Sequence, residues 1–325
     1  MSLVRDVCVI GLGLIGGSLL RAASAGGRTT WGATESAVDA ETAVADGYEV
    51  GTDVAGALRK AAERDAIVVL AVPLTGLDEV LRLVAEQAPS CLLTDVTSVK
   101  APVLASVRRL APGARFVGGH PMAGGTSSGW AAGNPALFTG AAWVACVEPD
   151  TDLAAWAEVS TLAIELGAHV VPVAAAVHDE AVARISHLPH LLAAVLAATG
   201  AYGGPLAASL AAGSFTDGTR VAGSRPELVR AMTEGNREAL LPVLDEALGR
   251  LGAARGSLAS TGGLAATLNA GHEGARRIAD LRGAARAAVQ VSLAAPDARD
   301  GLCALGERGG RIVGIDGSTA LGEVA

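Results

Sequence analysis

The sequence predicts an α/β domain built on a parallel sheet, followed by an all-helical domain. Three observations lead there. Short β-like apolar runs alternate with helical segments through the first half of the chain, the pattern of successive βαβ units. A Gly-rich turn, Gly11-Leu-Gly-Leu-Ile-Gly16, joins the first apolar run to the first helical one. After Val173 the strand signal stops and a helical pattern with Gly and Pro breaks runs to about Ala288.

The strands expected in order are Val7 to Ile10, Thr29 to Gly32, Ala66 to Val72, Cys91 to Val96, Arg115 to Gly119, Ala142 to Val147 and His169 to Val173. Most are unbroken apolar runs, as strands covered on both faces should be. The tail reads as a strand (Ala288 to Leu293), a helix (Asp300 to Arg308) and a strand (Arg311 to Ile315). It is too short to be a stable domain by itself. The expected division is therefore 1–173, 174–288 and a short β-α-β extension, 289–325. The chain shows no internal repeat.

At 325 residues the chain can bury a large core, and an apolar fraction of 50% excludes a disordered one. Ala and Gly dominate and aromatics are 3%, so the core is expected to rest on small side chains rather than aromatic anchors. The net charge of -8, with no basic cluster to offset it, argues against a nucleic-acid partner. The four cysteines are scattered and no C-x-x-C occurs, which reads as buried thiols in a reducing, cytoplasmic compartment. The first strand is expected within a few residues of Met1, so no signal peptide is expected. From Ile185 to Thr216 there is no Asp, Glu, Lys or Arg. His187, Pro189, His190, Gly203, Gly204 and Pro205 interrupt that stretch, so it reads as two buried helices at a domain core or a dimer interface and not as a membrane span.

The turn after the first strand carries the first chemistry. G-x-G-x-x-G alone is weak, but here it follows a strand, opens a helix and heads a βαβ series, the context of a dinucleotide-binding, Rossmann-like domain. Gly11 permits the tight turn, Gly13 lets the backbone approach a pyrophosphate, and Gly16 lets the helix pack on the strand. Leu14 and Ile15 complete the loop, and the helix N-terminus faces the phosphate charge. The acid that usually ends the second strand comes one residue late, as Glu35 after Thr34. Thr34 to Asp46 holds four acids and no Lys or Arg, so a 2′-phosphate finds no cation there and NAD is favoured over NADP. Val72-Pro73, at the end of a later strand, is expected near the cofactor.

Three clusters follow. Thr94-Asp95-Val96-Thr97-Ser98-Val99-Lys100 contains one of only two lysines, and Ser98 could also be a helix N-cap. Gly118-Gly119-His120-Pro121-Met122-Ala123-Gly124 places an imidazole at a strand end, a candidate general base. The third cluster is His178-Asp179 and Ile185-Ser186-His187-Leu188-Pro189-His190, with Asp217-Gly218-Thr219-Arg220 beyond it. His187 and His190 are expected on one helical face. A metal site is the weaker reading of this cluster, since only Asp179 could add a carboxylate. Arg220 suits a carboxylate ligand, against the alternative of a surface ion pair with Asp217.

Together the strings GLGLIGGS, DVTSVK, GGHPMAGG, HDEAVARISHLPH and FTDGTRVAGSRPE resemble the prephenate and arogenate dehydrogenase family of tyrosine biosynthesis, in its order and over residues 11 to about 227. The resemblance implies a dinucleotide-binding domain followed by a helical domain that dimerises. It implies oxidative decarboxylation of prephenate to 4-hydroxyphenylpyruvate, or of arogenate to tyrosine. His120 resembles the histidine that takes the proton of the 4-hydroxyl, and Ser98 the serine that orients that hydroxyl. Lys100 resembles a lysine lining the site, and Arg220 the arginine that holds the ring carboxylate. Ser186, His187 and His190 resemble pocket residues of the helical domain. Prephenate is a dianion, and Arg220, Lys100 and a helix-borne imidazole would supply the cations that an acidic chain otherwise lacks.

Two departures matter. Many members carry an acid two residues after HPMAG, where this chain has Thr126, and some carry a full regulatory domain where about 37 residues follow Ala288 here, so an allosteric tyrosine site is not expected. A β-hydroxyacid dehydrogenase shares the two-domain plan but uses a lysine of its helical domain, and no lysine occurs after Lys100. A non-catalytic NAD-sensing module would need none of His120, Ser98 and Arg220.

Overall fold

The computed structural model describes residues 4–125 and 127–325; Thr126, whose departure from the family pattern is noted above, lies outside them. The chain folds as two compact units. One takes the residues up to Asp179 and also 288–324; the other is 180–287.

The first unit opens with β1 (Val7–Ile10), α1 (Leu14–Ala25), β2 (Thr30–Ala33), α2 (Ala37–Ala45), β3 (Val50–Gly51), α3 (Val54–Glu63), β4 (Ile67–Leu70), α4 (Leu77–Gln87), β5 (Leu92–Asp95), α5 (Ala101–Leu110) and β6 (Arg115–Val117). Its six strands are parallel, in the order β3-β2-β1-β4-β5-β6. Strand side chains alternate between two faces, and both faces are covered here. Val7, Val9, Ile67, Val69 and Leu92 enter one apolar core, and Cys8, Ile10, Val68, Leu70 and Leu93 the other. The strand order reverses between β1 and β4, so a crevice opens at their carboxyl ends, where open α/β sheets take their ligands.

A second sheet was not foreseen. After Val117 the chain leaves the parallel sheet at Gly118 and enters β7 (Gly119–Pro121), so the single strand expected over Arg115 to Gly119 is two. β8 (Ala142–Cys146), α6 (Leu153–Glu165) and β9 (His169–Val173) follow. The second sheet has the order β10-β12-β11-β9-β8-β7 and uses β10 (Ala287–Ser292), β11 (Arg311–Asp316) and β12 (Thr319–Val324), with α14 (Ala298–Glu307) between β10 and β11. The tail is thus not a separate extension. β11 pairs antiparallel with β9, and Leu302, Leu305, Ile312 and Ala320 join the same core as Val7 and Val9. β12 was missed although Asp316-Gly317 is a hairpin signal; Gly317 has φ +56°.

The aromatic expectation also fails. Trp31, Trp130, Trp143 and Trp156 are all buried in the first unit and are among its largest core side chains. A low aromatic count says nothing about where those aromatics sit. Of the thiols, Cys8, Cys91 and Cys146 are buried; burial raises the pKa of all three, that of Cys91 to about 12.

One helical run, Ala175–Ala201, comprises α7 (Ala175–Val182), a π turn (Ala183–His187) and α8 (Leu188–Ala201). The first unit keeps this run as far as Asp179, six residues beyond the expected boundary. Pro189 lacks an N–H, and a widened turn just before it accommodates the lost i→i−4 bond. The second unit continues with α9 (Gly204–Leu210), α10 (Gly213–Thr219), α11 (Pro226–Gly235), α12 (Arg237–Ser260) and α13 (Ala265–Gly283). Its core is small: Ala183, Leu240 and Val243, with Leu188 and Ala239 against them. The run Ala175–Ala201 is long and apolar enough to cross a membrane by length and composition alone. Burial was expected over Ile185 to Thr216, yet in this single chain Ile185, Val195, Leu206 and Leu210 are exposed, the last two at 71%.

Candidate active site

The glycine turn has the shape expected of it. Gly11 has φ +94°, and a Cβ there would stand 2.5 Å from the Ala71 carbonyl oxygen and 3.0 Å from Val72 Cγ1. A Cβ on Gly16 would stand 2.0 Å from the Gly11 carbonyl oxygen, so α1 packs on the turn only without one. A Cβ on Gly13 would meet nothing within 4 Å. Gly13 is the N-cap of α1 and has no side chain to cap it, which leaves the first N–H groups of α1 facing open ground. Leu14 and Ile15 start that helix, half-buried. Val72 borders the turn, and Pro73 after it is exposed. The residues fit a dinucleotide pyrophosphate at the switch point of the sheet.

At the end of β2, Thr34 is buried and its N–H bonds the Gly51 carbonyl, while Glu35 is exposed. Two of the nearby acids have structural partners. Asp39 accepts the Trp130 N–H at 2.8 Å, and Asp46 accepts Trp130 Nε1–H at 2.7 Å and Arg21 Nη2 at 3.1 Å. The Arg21 guanidinium lies 3.7 Å over the Trp130 ring and also donates to the Trp130 carbonyl. It is therefore already engaged.

The second cluster forms around His120. β7 is an edge strand, and its register sets His120 opposite Val144 of β8. The imidazole is buried, and Nδ1 lies 2.9 Å from His178 Nε2. His178 Nδ1 lies 2.7 Å from Asp179 Oδ1. Asp179 in turn accepts the Lys100 N–H on Oδ1 and the Ala101 N–H on Oδ2, both at 2.8 Å. It thus caps α5 from 79 positions further along the chain. Ser98 does not take that N-cap role; its hydroxyl is half-buried and makes no hydrogen bond among the described residues.

Lys100 requires a correction. It is 1% exposed, and its ammonium donates to Asp95 Oδ2, to the Gly119 carbonyl at 2.5 Å and to Thr97 Oγ1 at 3.1 Å. Three donors meet three acceptors, and the charge is matched by a fully buried carboxylate. Lys100 is a tie between the end of β5 and the start of β7, and its charge is not available to a substrate. Asp95 also accepts the N–H groups of Thr97 and Gly119, each at 3.0 Å. Gly119 has to be glycine, since a Cβ would stand 2.5 Å from the Asp95 carbonyl oxygen.

In the second unit, His187 and His190 differ in burial and in partners. His187 is buried, with Nδ1 3.0 Å from Asn236 Nδ2 on α12. His190 is half-buried and its Nδ1 donates to the Ser186 carbonyl at 2.8 Å. The π turn (Ala183–His187) ends at His187, and the step from His187 to His190 lies in the regular start of α8. Ser186, in that turn, is half-buried. Arg220 is exposed at the end of α10 and makes no ion pair among the described residues, so the pairing with Asp217 is not present. No group of three His, Cys, Asp or Glu converges on a metal-sized site among the described residues.

The sequence analysis set Asp95, His178 and Asp179 in its clusters but gave none of them a role beside His120. The adjacent His-Asp pair at a helix start was the one available signal; the partners of that pair are 58 and 79 positions away.

Comparison with known proteins agrees with this plan. Residues 19–172 match the nucleotide-binding domain of prephenate dehydrogenase and residues 174–262 its dimerization domain. The prephenate dehydrogenase of Bacillus subtilis (strain 168) is 34% identical over 76% of this chain and 68% of its own length. A solved Corynebacterium glutamicum ATCC 13032 protein assigned as a prephenate dehydrogenase superposes with a TM-score of 0.89 at 41% identity, over 94% of this chain and 98% of that one. The solved Synechocystis arogenate dehydrogenase superposes with a TM-score of 0.71 at 31% identity, over 84% of this chain and 99% of that one.

Proposed function

The chain belongs to the prephenate dehydrogenase family, and from that premise we propose that it catalyses the NAD-dependent oxidative decarboxylation of prephenate to 4-hydroxyphenylpyruvate. The observation that carries the reading is the buried His120 imidazole, joined through His178 to Asp179 in the same unit as the dinucleotide turn.

Gly11, Gly13 and Gly16, with Leu14, Ile15 and Val72-Pro73 around them, hold the dinucleotide, and Thr34 and Glu35 take its ribose end. The acidic stretch Thr34 to Asp46 and the prior engagement of Arg21 with Asp46 favour NAD over NADP. When bound, the nicotinamide supplies the acceptor for the hydride of the ring carbon that bears the 4-hydroxyl. His120 accepts the hydroxyl proton, so that carbon can become a carbonyl carbon. Ser98 orients the hydroxyl. The bond from the ring to its carboxylate then breaks, carbon dioxide leaves, and the electron pair completes the aromatic ring. His120 returns its proton to the phenolate oxygen, so no net proton is released. Arg220 binds the ring carboxylate, and Ser186, His187 and His190 serve the substrate from the helical unit, His190 toward the side-chain end.

The dimerization-domain match and the exposed Leu206 and Leu210 support a homodimer. The four free cysteines, three of them buried, fit a reducing, cytoplasmic setting.

The likeness to the Synechocystis enzyme keeps arogenate as the second reading, since one keto-to-amino change separates the two substrates. The test is a comparison of initial rates with prephenate and arogenate, each with NAD and with NADP. Prephenate with NAD is expected to give the highest kcat/KM. Preference for arogenate selects the second reading, preference for NADP removes the cofactor assignment, and turnover of neither substrate overturns the proposal.

A further inference from the structure

We propose that His178 and Asp179 are positioning residues that hold His120 with its proton on Nδ1, so that the basic lone pair is at Nε2. The inference rests on the reading of His120 as the base and assigns the atom at which it acts.

The argument follows the hydrogen bonds inward from α5. Asp179 accepts backbone N–H groups on both oxygens, from Lys100 and from Ala101. An ionised carboxylate offers only acceptors, so the 2.7 Å contact with His178 Nδ1 is an N–H donated by the imidazole. A neutral imidazole carries one proton. With that proton on Nδ1, His178 Nε2 is an acceptor, and the 2.9 Å contact requires His120 Nδ1 to be the donor. The lone pair of His120 is then on Nε2. The opposite polarity, with the single His178 proton on Nε2, would turn two acceptors toward each other at the Asp179 contact.

This arrangement suits a base that becomes charged in place. When Nε2 accepts a proton, the imidazolium still donates Nδ1–H to His178, and the Asp179 carboxylate lies at the end of the same line. The new cation finds its partners already oriented, without rearrangement at the moment of proton transfer. His178 is 3% exposed, so water does not compete for these bonds. The charged groups nearby on the neighbouring strand and loop, Lys100 and Asp95, are paired with each other.

The experiment has two parts. The first measures the ¹⁵N shifts of the imidazole nitrogens in the free, labelled protein above the titration of His120, with His120→Asn assigning the resonances. The expected spectrum has a protonated Nδ1 and an unprotonated Nε2; a proton on Nε2 overturns the proposal. This measurement needs no substrate, so its outcome is separate from that of the prephenate reading. The second compares turnover in two variants. His178→Leu removes the acceptor and is expected to lower kcat by about 10²-fold with KM unchanged. His178→Gln keeps the polarity, with a carbonyl toward His120 and an amide N–H toward Asp179, and is expected to recover most of that rate. Equal rates in all three proteins, or an equal loss in both variants accompanied by raised KM, would show that His178 has only a packing role.

Discussion

Replacing Lys100 by Met separates the two roles that this side chain could have. The thioether keeps most of the stem and deletes the ammonium. Asp95 would then be a fully buried carboxylate that retains the Thr97 and Gly119 N–H groups and the Thr97 hydroxyl but has no countercharge. The Gly119 carbonyl would lose the donor it has at 2.5 Å. Removing one partner of a buried pair costs about 3–5 kcal/mol. In a unit of this size that corresponds to a Tm lower by about 6–20 °C. Thermal melts followed by circular dichroism would measure it. The double variant Lys100→Met with Asp95→Asn should recover part of the loss, because no unpaired charge remains. Turnover should fall through displacement of Gly119 and its neighbour His120, while KM for prephenate stays close to wild type. An unchanged Tm together with a KM raised about tenfold would refute this reasoning and return Lys100 to the substrate.

Three further outcomes follow from the same geometry. His120→Asn should lose about 10²–10⁴-fold in kcat and the acidic limb of the kcat/KM profile, whereas Arg220→Ala should mainly raise KM, by the equivalent of about 1.5–3 kcal/mol, and keep that limb; steady-state kinetics across pH distinguishes them. The protein should be a dimer by light scattering at micromolar concentration, and Leu206→Arg should shift it toward monomer; a monomeric wild type rejects the interface. Hydrogen bonds from Trp130 Nε1 and Arg21 hold the Asp46 carboxyl below its ordinary range. Because its folded value is the lower one, its contribution is full above the unfolded value of about 3.9 and is lost as pH falls through the folded value. Asp46→Asn should therefore flatten the loss of urea resistance between about pH 5 and pH 3, and parallel wild-type and variant curves would contradict this.

What could be read from the sequence was local. Gly11, Gly13 and Gly16 act through the backbone of one turn, and their spacing alone fixes that turn. His120 stood out because Gly and Pro flank it. The helical unit was visible because the strand pattern ends abruptly at Val173. What could not be read depends on contacts between distant segments. Asp179 was a residue next to a histidine until the fold brought it to the start of α5, and Lys100 looked like a free cation until Asp95 and Gly119 closed around it. The division of Arg115 to Pro121 between two sheets has no local marker except Gly118. The π turn before Pro189 adds one residue to a single turn of the helix, and the proline is its one mark in the sequence.

The strand that covers the edge of β9 lies on the far side of the helical unit in the sequence. Synthesis runs at about 5–20 residues per second, so the 137 residues from Ala174 to Gly310 take roughly 7–27 s to follow Val173 out of the ribosome. Throughout that interval the hydrogen-bonding edge of β9 has no cover from β11, and Val170 lacks the apolar neighbours that Ile312, Leu302 and Leu305 bring. An open apolar strand edge is a template for pairing with other chains. The newborn polypeptide therefore passes through a stage at which its second sheet is the part most exposed to misassembly, and chaperone binding during translation would matter most there.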